Sequence, residues 1–203
     1  MEIEAKFLLP NEVVFVKLRT LEQLGDFFLS SAQVRKVRDT YLDTVDRRIL
    51  GGGYACRKRE RSTGILYTLK SLAGGNGPVH RREELEVALP SERPPGEWPP
   101  GPARDKVLAL IGSYPLEPLF HLQQERVIRA IHRHDREVAE FSLDRVCLVE
   151  GERTHAYLVL EVELVAQGTE QDLMDFVTFF QQRWDLPVEP RSKFEQALAF
   201  LGT

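Results

Sequence analysis

Glu2-Ile3-Glu4-Ala5-Lys6-Phe7 opens the chain with strict alternation of charged and apolar side chains. This predicts a β-strand, because side chains at i, i+2 and i+4 of a strand share one face. Glu2, Glu4 and Lys6 then point one way, and Ile3, Ala5 and Phe7 the other. Two carboxylates about 6–7 Å apart along a strand, followed by an ammonium, can hold a divalent cation beside a phosphate. An antiparallel strand with one wet face alternates in the same way, so the rest of the chain decides.

Outward from this strand, read as 2–9, Pro10-Asn11-Glu12 opens a helix. Its apolar content is Val13, Val14, Val16, Leu18, Leu21 and Leu24, with Gly25 as the stop. Residues 34–43 read as a strand and 49–53 as a turn. Residues 54–61 and 65–71 read as a hairpin closed through Ser62-Thr63-Gly64. Gly74-Gly75-Asn76-Gly77-Pro78 reads as a flexible loop and 82–89 as a strand. Five prolines between Ser91 and Arg104 predict a linker, followed by a short helix at 105–111. Strands at about 119–132, 137–148 and 155–166 precede a helix capped by Thr169 and a last helix at 192–201.

The expectation is a single α+β domain of two similar halves, 1–90 and 105–203, joined by the linker 91–104. About eight short strands of high charge suggest an antiparallel sheet closed into a barrel, with helices packed outside.

Strand parity sorts the charges. Arg57 pairs with Arg59, Lys70 follows Thr68, and Arg82, Glu84 and Glu86 share a face. Arg126 stands amid Val127 and Ile128, while Glu140, Ser142 and Asp144 alternate with Phe141 and Leu143. Glu161 and Glu163 alternate with Leu160, Val162 and Leu164. A merely solvated face would carry Ser, Thr, Asn and Gln in quantity; here it is almost purely carboxylate and Arg/Lys. If the sheet closes, these charges lie inside, where crowding and desolvation are costly without counter-ions. A bound metal and a polyanion would supply them.

Composition bounds the rest. The chain has 203 residues, 42% hydrophobic and 29% charged, enough to bury a core. A net charge of −4 argues against a general nucleic-acid binder. No apolar run approaches the roughly 18 residues of a membrane span, and the acidic N-terminus is unlike a signal peptide. A cytoplasmic protein with neither membrane nor nucleic-acid partner is expected. Cys56 and Cys147 lack the spacing of a disulfide framework or zinc site and read as buried thiols. His132 and His134 flank a turn, His80, His121 and His155 are isolated, and Arg35-Lys36-x-Arg38 reads as a solvated strand face.

The ordered set of motifs resembles the CYTH superfamily of triphosphate tunnel metalloenzymes. Its Glu-x-Glu-x-Lys stands as Glu2, Glu4 and Lys6, its Arg-x-Arg as Arg57 and Arg59, and its next-strand lysine as Lys70. The later acidic pair is Glu161 and Glu163, the acidic strand end Ser142-Leu143-Asp144, and the C-terminal Ser-Lys is Ser192-Lys193. Asp39-Thr40-Tyr41-Leu42-Asp43 matches the Tyr-x-Asp segment.

The resemblance implies an eight-stranded antiparallel tunnel that takes a small-molecule triphosphate end-on. It implies that Lys6, Arg57, Arg59, Lys70, Arg126 and Lys193 grip phosphate. It implies that Glu2, Glu4, Asp144, Glu161 and Glu163 hold Mg2+ or Mn2+, with Glu4, Lys6, Glu161 and Glu163 central to catalysis. Glu84 and Glu86 are expected to orient the basic residues. Phosphoanhydride hydrolysis of inorganic tripolyphosphate is the expected activity. Thiamine triphosphate hydrolysis, a class IV type adenylyl cyclase, and non-catalytic polyphosphate or nucleotide binding are the alternatives. Ala55 stands where thiamine triphosphatases of this family carry a Trp, which ranks thiamine triphosphate lower. A homodimer is compatible with this reading.

Overall fold

The computed structural model describes residues 1–72 and 77–202. Residues 74–76 of the expected glycine-rich loop lie outside the described residues. In chain order the elements are β1 (Glu2–Leu9), α1 (Glu12–Arg19), β2 (Gln23–Leu24), β3 (Phe27–Leu29), β4 (Gln33–Asp43) and α2 (Arg48–Gly51). Next come β5 (Tyr54–Arg61), β6 (Gly64–Ser71), β7 (His80–Arg82), β8 (Glu84–Leu89), a 3-10 turn at Pro95–Glu97 and α3 (Pro102–Ile111). The chain ends with β9 (Glu117–Arg133), β10 (Arg136–Glu150), β11 (Arg153–Leu164), α4 (Glu170–Trp184) and α5 (Lys193–Leu201).

One antiparallel sheet runs in the order β7-β1-β11-β10-β9-β4-β5-β6-β8. Its two end strands are consecutive in the chain, separated only by Glu83. β7 pairs with β1, and β8 pairs with β6. The sheet therefore curls until its ends nearly meet, which makes a barrel. It has nine strands along this path where the resemblance implied eight. The reason is local: the stretch expected as one strand at 82–89 begins at His80 and breaks at Glu83, whose backbone exchanges hydrogen bonds with Ser71 instead of extending the ladder.

Three other expectations are corrected. The first helix stops at Arg19, where the Thr20 N–H turns back to the Lys17 carbonyl and the Leu21 N–H to the Leu18 carbonyl. Gly25, at φ +60°, serves the β2–β3 hairpin turn and does not stop a helix. The proline-rich stretch is not a free linker. Trp98 is buried, donates from Nε1 to the Arg93 carbonyl at 2.9 Å and packs at a tilt against Tyr67 with ring centroids 4.5 Å apart. Cys56 is buried as expected, but Cys147 is only half-buried on the outer barrel face beside Arg145.

Outward-facing apolar residues of β1, β9, β10 and β11 pack beneath α1 and α4, with Phe7 and Phe141 against Phe180. Those of β5, β6 and β8 pack beneath α3 and Trp98. The hairpin between β5 and β6 turns on Gly64, where a Cβ would meet the Leu89 carbonyl oxygen at 2.2 Å. A third cluster is internal. Tyr41, Ala55, Phe120, Leu122, Val146 and Val159 are inward-facing, and they pack on Phe194 and Ala197 of α5. This helix plugs one end of the barrel.

Candidate active site

Above the α5 plug, the inward strand faces turn from apolar to charged. Along each strand one step of two residues makes the change: Tyr41 to Asp39, Ala55 to Arg57, Leu122 to Gln124, Val146 to Asp144, Val159 to Glu161. The charged residues line a cavity of about 270 Å3 that contains eight Lys or Arg and six Glu side chains. Every residue expected at the site lines it except Asp144, which is fully buried behind it. A larger cleft of about 480 Å3, outside the barrel between Trp98 and Tyr114, is lined mainly by apolar side chains and holds one ion pair, Lys58–Glu92.

Register puts opposite charges side by side. Lys6 lies across from Glu161, and its Nζ reaches Glu161 at 3.2 Å and Glu4 at 3.1 Å. Burial acts to lower the Lys6 pKa, but the two carboxylates outweigh it and hold the ammonium above its usual range. Arg126 lies across from Asp144, donates to it from Nε at 2.9 Å and to Glu161 from Nη2 at 2.7 Å. Lys193 donates to the same two carboxylates at 2.6 and 2.7 Å. Its place is set by the Ser192–Glu195 capping box that starts α5 and leaves Lys193 as the first helical residue. Burial would raise the Glu161 pKa, but Lys193, Lys6 and Arg126 hold it well below the carboxylate range. Glu4 is likewise lowered, burial being outweighed by Lys6.

The remaining basic residues are differently held. Asp39 clamps Arg59 through Nε and Nη2, both at 2.7 Å, and accepts from Gln124 at 2.7 Å. Lys70 lies between Glu2 and Glu84. Among the described residues Arg57 donates only to the Thr68 hydroxyl, at 3.2 Å, and its buried Nε has no partner. It forms no ion pair among the described residues.

Glu2, Glu84 and Glu163 converge, with carboxylate oxygens all within 4.8 Å of one another. The cluster is short of positive charge. Among the described residues the buried Glu2 Oε2 has no partner. Burial, reinforced by Glu2, Glu4 and Glu84, pushes the Glu163 carboxyl up to about 7. Burial also raises Glu2, with Lys70 opposing. Glu163 faces another glutamate across each neighbouring strand, Glu4 on β1 and Glu140 on β10. Three oxygen donors with one orphaned lone-pair set fit a hard divalent cation. Glu4, Asp144 and Glu161 differ, because Lys6, Arg126 and Lys193 already neutralise them.

Sequence reading missed Arg82 and Asp39 as site residues. Arg82 is 3% exposed, approaches Glu4 at 3.7 Å and lies across from Glu2. Its parity with Glu84 and Glu86 was the available signal. Ala55 lies in the apolar plug, at the closed end of the cavity.

The CYTH domain pattern matches residues 1–197. No curated protein matches the chain in sequence. Among solved structures, the chain is similar to HpAC1 from Hippeastrum, an adenylyl cyclase by name that is described as having a dominant triphosphatase activity. It is 19% identical, covering 100% of this chain and 97% of that one, with a TM-score of 0.69. A protein from Bacillus halodurans described as a candidate adenylate cyclase is 20% identical over 97% of this chain and 96% of that one, with a TM-score of 0.60. The Mimivirus capping enzyme triphosphatase is 11% identical, covering 89% and 88%, with a TM-score of 0.52. The match over nearly the whole chain and the closed, charged barrel agree: this chain belongs to the CYTH domain family.

Proposed function

We propose that this protein is a divalent-metal-dependent triphosphatase whose substrate is inorganic tripolyphosphate. The observation that carries the reading is the one-ended cavity in which six expected phosphate-binding cations converge beside an under-neutralised carboxylate cluster. Arg57, half-buried and without a carboxylate partner among the described residues, is the first anchor for phosphate oxygens. Arg59 is pre-oriented by Asp39, so binding phosphate costs it little ordering entropy. Lys6, Arg126 and Lys193, already fixed by Glu4, Asp144 and Glu161, present fixed positive charge toward the cavity. Preorganised charge of this kind is the main source of phosphoryl-transfer catalysis.

Glu2, Glu84 and Glu163 would hold Mg2+ or Mn2+, which when bound screens phosphate charge and lowers the pKa of a bound water. Water attack on the terminal phosphorus breaks one phosphoanhydride bond and releases orthophosphate, leaving pyrophosphate. The α5 plug closes the far end, so substrate enters and product leaves by one mouth. The expected metal set thus narrows to Glu2 and Glu163 and gains Glu84, while Glu4 and Glu161 fix Lys6.

Two variants test the reading. Glu161→Gln frees Lys6, Arg126 and Lys193 from their shared anchor and is expected to cut kcat for tripolyphosphate at least 100-fold, with the circular dichroism spectrum retained. Arg57→Ala is expected to raise KM roughly tenfold. Wild-type kinetics in both would overturn the assignment.

A further inference from the structure

Outside the tunnel cavity lies a second recess of about 720 Å3. The two share Arg59, Arg61 and Arg126, so the recess is continuous with the mouth. Five basic side chains line it, Arg35, Lys36, Arg59, Arg61 and Arg126, against Glu60 and Glu140.

Three of these cations, Arg35, Lys36 and Arg61, have no part in the network below, and Arg35 and Arg61 lie on the inward strand faces. Arg35 shares the inward face of β4 with Asp39, two steps further toward the mouth. It stands directly across from Arg126 on β9. Like charges directly opposite on neighbouring strands are destabilising unless an anion is shared between them. Arg126 is neutralised by Asp144 and Glu161, whereas Arg35 has, among the described residues, only the Gln33 side-chain oxygen, at 2.9 Å. Arg61 continues the row of Arg57 and Arg59 along β5 and is exposed, with no ion pair among the described residues. Among the described residues no aromatic side chain lines the recess, so it offers a base or thiamine ring no stacking face.

We propose that this recess is a subsite for a fourth and later phosphate, formed by Arg35 and Arg61 around the mouth, and that it selects linear polyphosphates longer than tripolyphosphate. The inference rests on the triphosphatase reading and adds to it: the group projecting from the tunnel is itself phosphate. Inorganic polyphosphate is favoured over a 5′-triphosphorylated RNA because the recess offers charge without a stacking face.

The test compares KM for tripolyphosphate and tetrapolyphosphate, with ATP and a 5′-triphosphorylated RNA oligonucleotide alongside, in wild type and in the Arg35→Ala/Arg61→Ala double variant. Both residues are exposed, so the fold is retained. The expected result is a KM roughly five- to tenfold lower for tetrapolyphosphate than for tripolyphosphate. The double variant should erase that preference, with the smaller change on tripolyphosphate. Equal KM values in wild type, or a preference the double variant keeps, would overturn the subsite. So would an effect confined to the RNA oligonucleotide. If wild type hydrolyses neither polyphosphate, the triphosphatase reading fails, and calorimetric binding of the two in EDTA still reads the recess. A preference for the longer chain, lost in the double variant, upholds it; no preference overturns it.

Discussion

Glu163→Gln should make the metal-free protein more stable at alkaline pH. The Glu163 carboxyl is lifted from 4.5 to about 7, first by burial and then by Glu2, Glu4 and Glu84. The folded state therefore holds this proton more tightly than the unfolded chain. The resulting stabilisation is complete below about pH 4.5 and is lost as pH rises through about 7. A pKa difference of that size corresponds to about 3 kcal/mol, and partial solvent exposure reduces it to about 2 kcal/mol. Glutamine removes the ionisation while keeping shape and an acceptor. For a chain of this length, about 2 kcal/mol corresponds to roughly 4–8 °C in melting temperature. The assay is thermal unfolding in EDTA from pH 4.5 to 8.5. Wild type should lose stability across that range relative to the variant, the two curves meeting near pH 4.5. Added Mn2+ should then raise the wild type more than the variant. A variant that melts at or below the wild-type temperature at pH 8.5 would refute the claim that Glu163 is a charge-crowded carboxylate awaiting a cation.

Three other outcomes are expected. Asp39→Ala strands the Arg59 guanidinium and the Gln124 amide in the barrel, at a cost of roughly 3–5 kcal/mol and about 10 °C in melting temperature, read by the same thermal assay. Glu84→Gln removes one of three converging carboxylates and should weaken Mn2+ binding by roughly tenfold in a calorimetric titration, whereas Glu86→Gln, whose carboxylate accepts from Thr68, should leave it near wild type. Burial pushes the Cys56 thiol up to about 12, so a thiol-reactive dye at pH 8 should label the native protein only at Cys147 and reach Cys56 after denaturation.

Strand parity made much of the site legible. A period of two leaves no choice about which side Glu2, Glu4 and Lys6 share, and register then brings Lys6 to Glu161. The apolar plug was not legible, because Tyr41, Leu122 and Val146 lie on the same strand faces as Asp39, Gln124 and Asp144. Parity sorts inside from outside but carries no information about depth along the barrel. Arg82 shares the charged face with Glu84 and Glu86 in the sequence, but nothing there gives it a site role, because its partners Glu4 and Glu195 are distant along the chain. Arg35 read as a solvated residue since its neighbours Lys36 and Arg38 face outward, while register sets it opposite Arg126 at the mouth. The division of the carboxylates into cation-bound and free depends on side-chain distances across four strands. No spacing along the chain encodes it.

The central claim is tested most directly by phosphate release from tripolyphosphate, ATP and thiamine triphosphate, each with Mg2+, Mn2+ or EDTA. The account predicts metal-dependent release that is fastest from tripolyphosphate and abolished by EDTA. Release that persists in EDTA, or none from any substrate while ATP is converted to cyclic AMP, would contradict it.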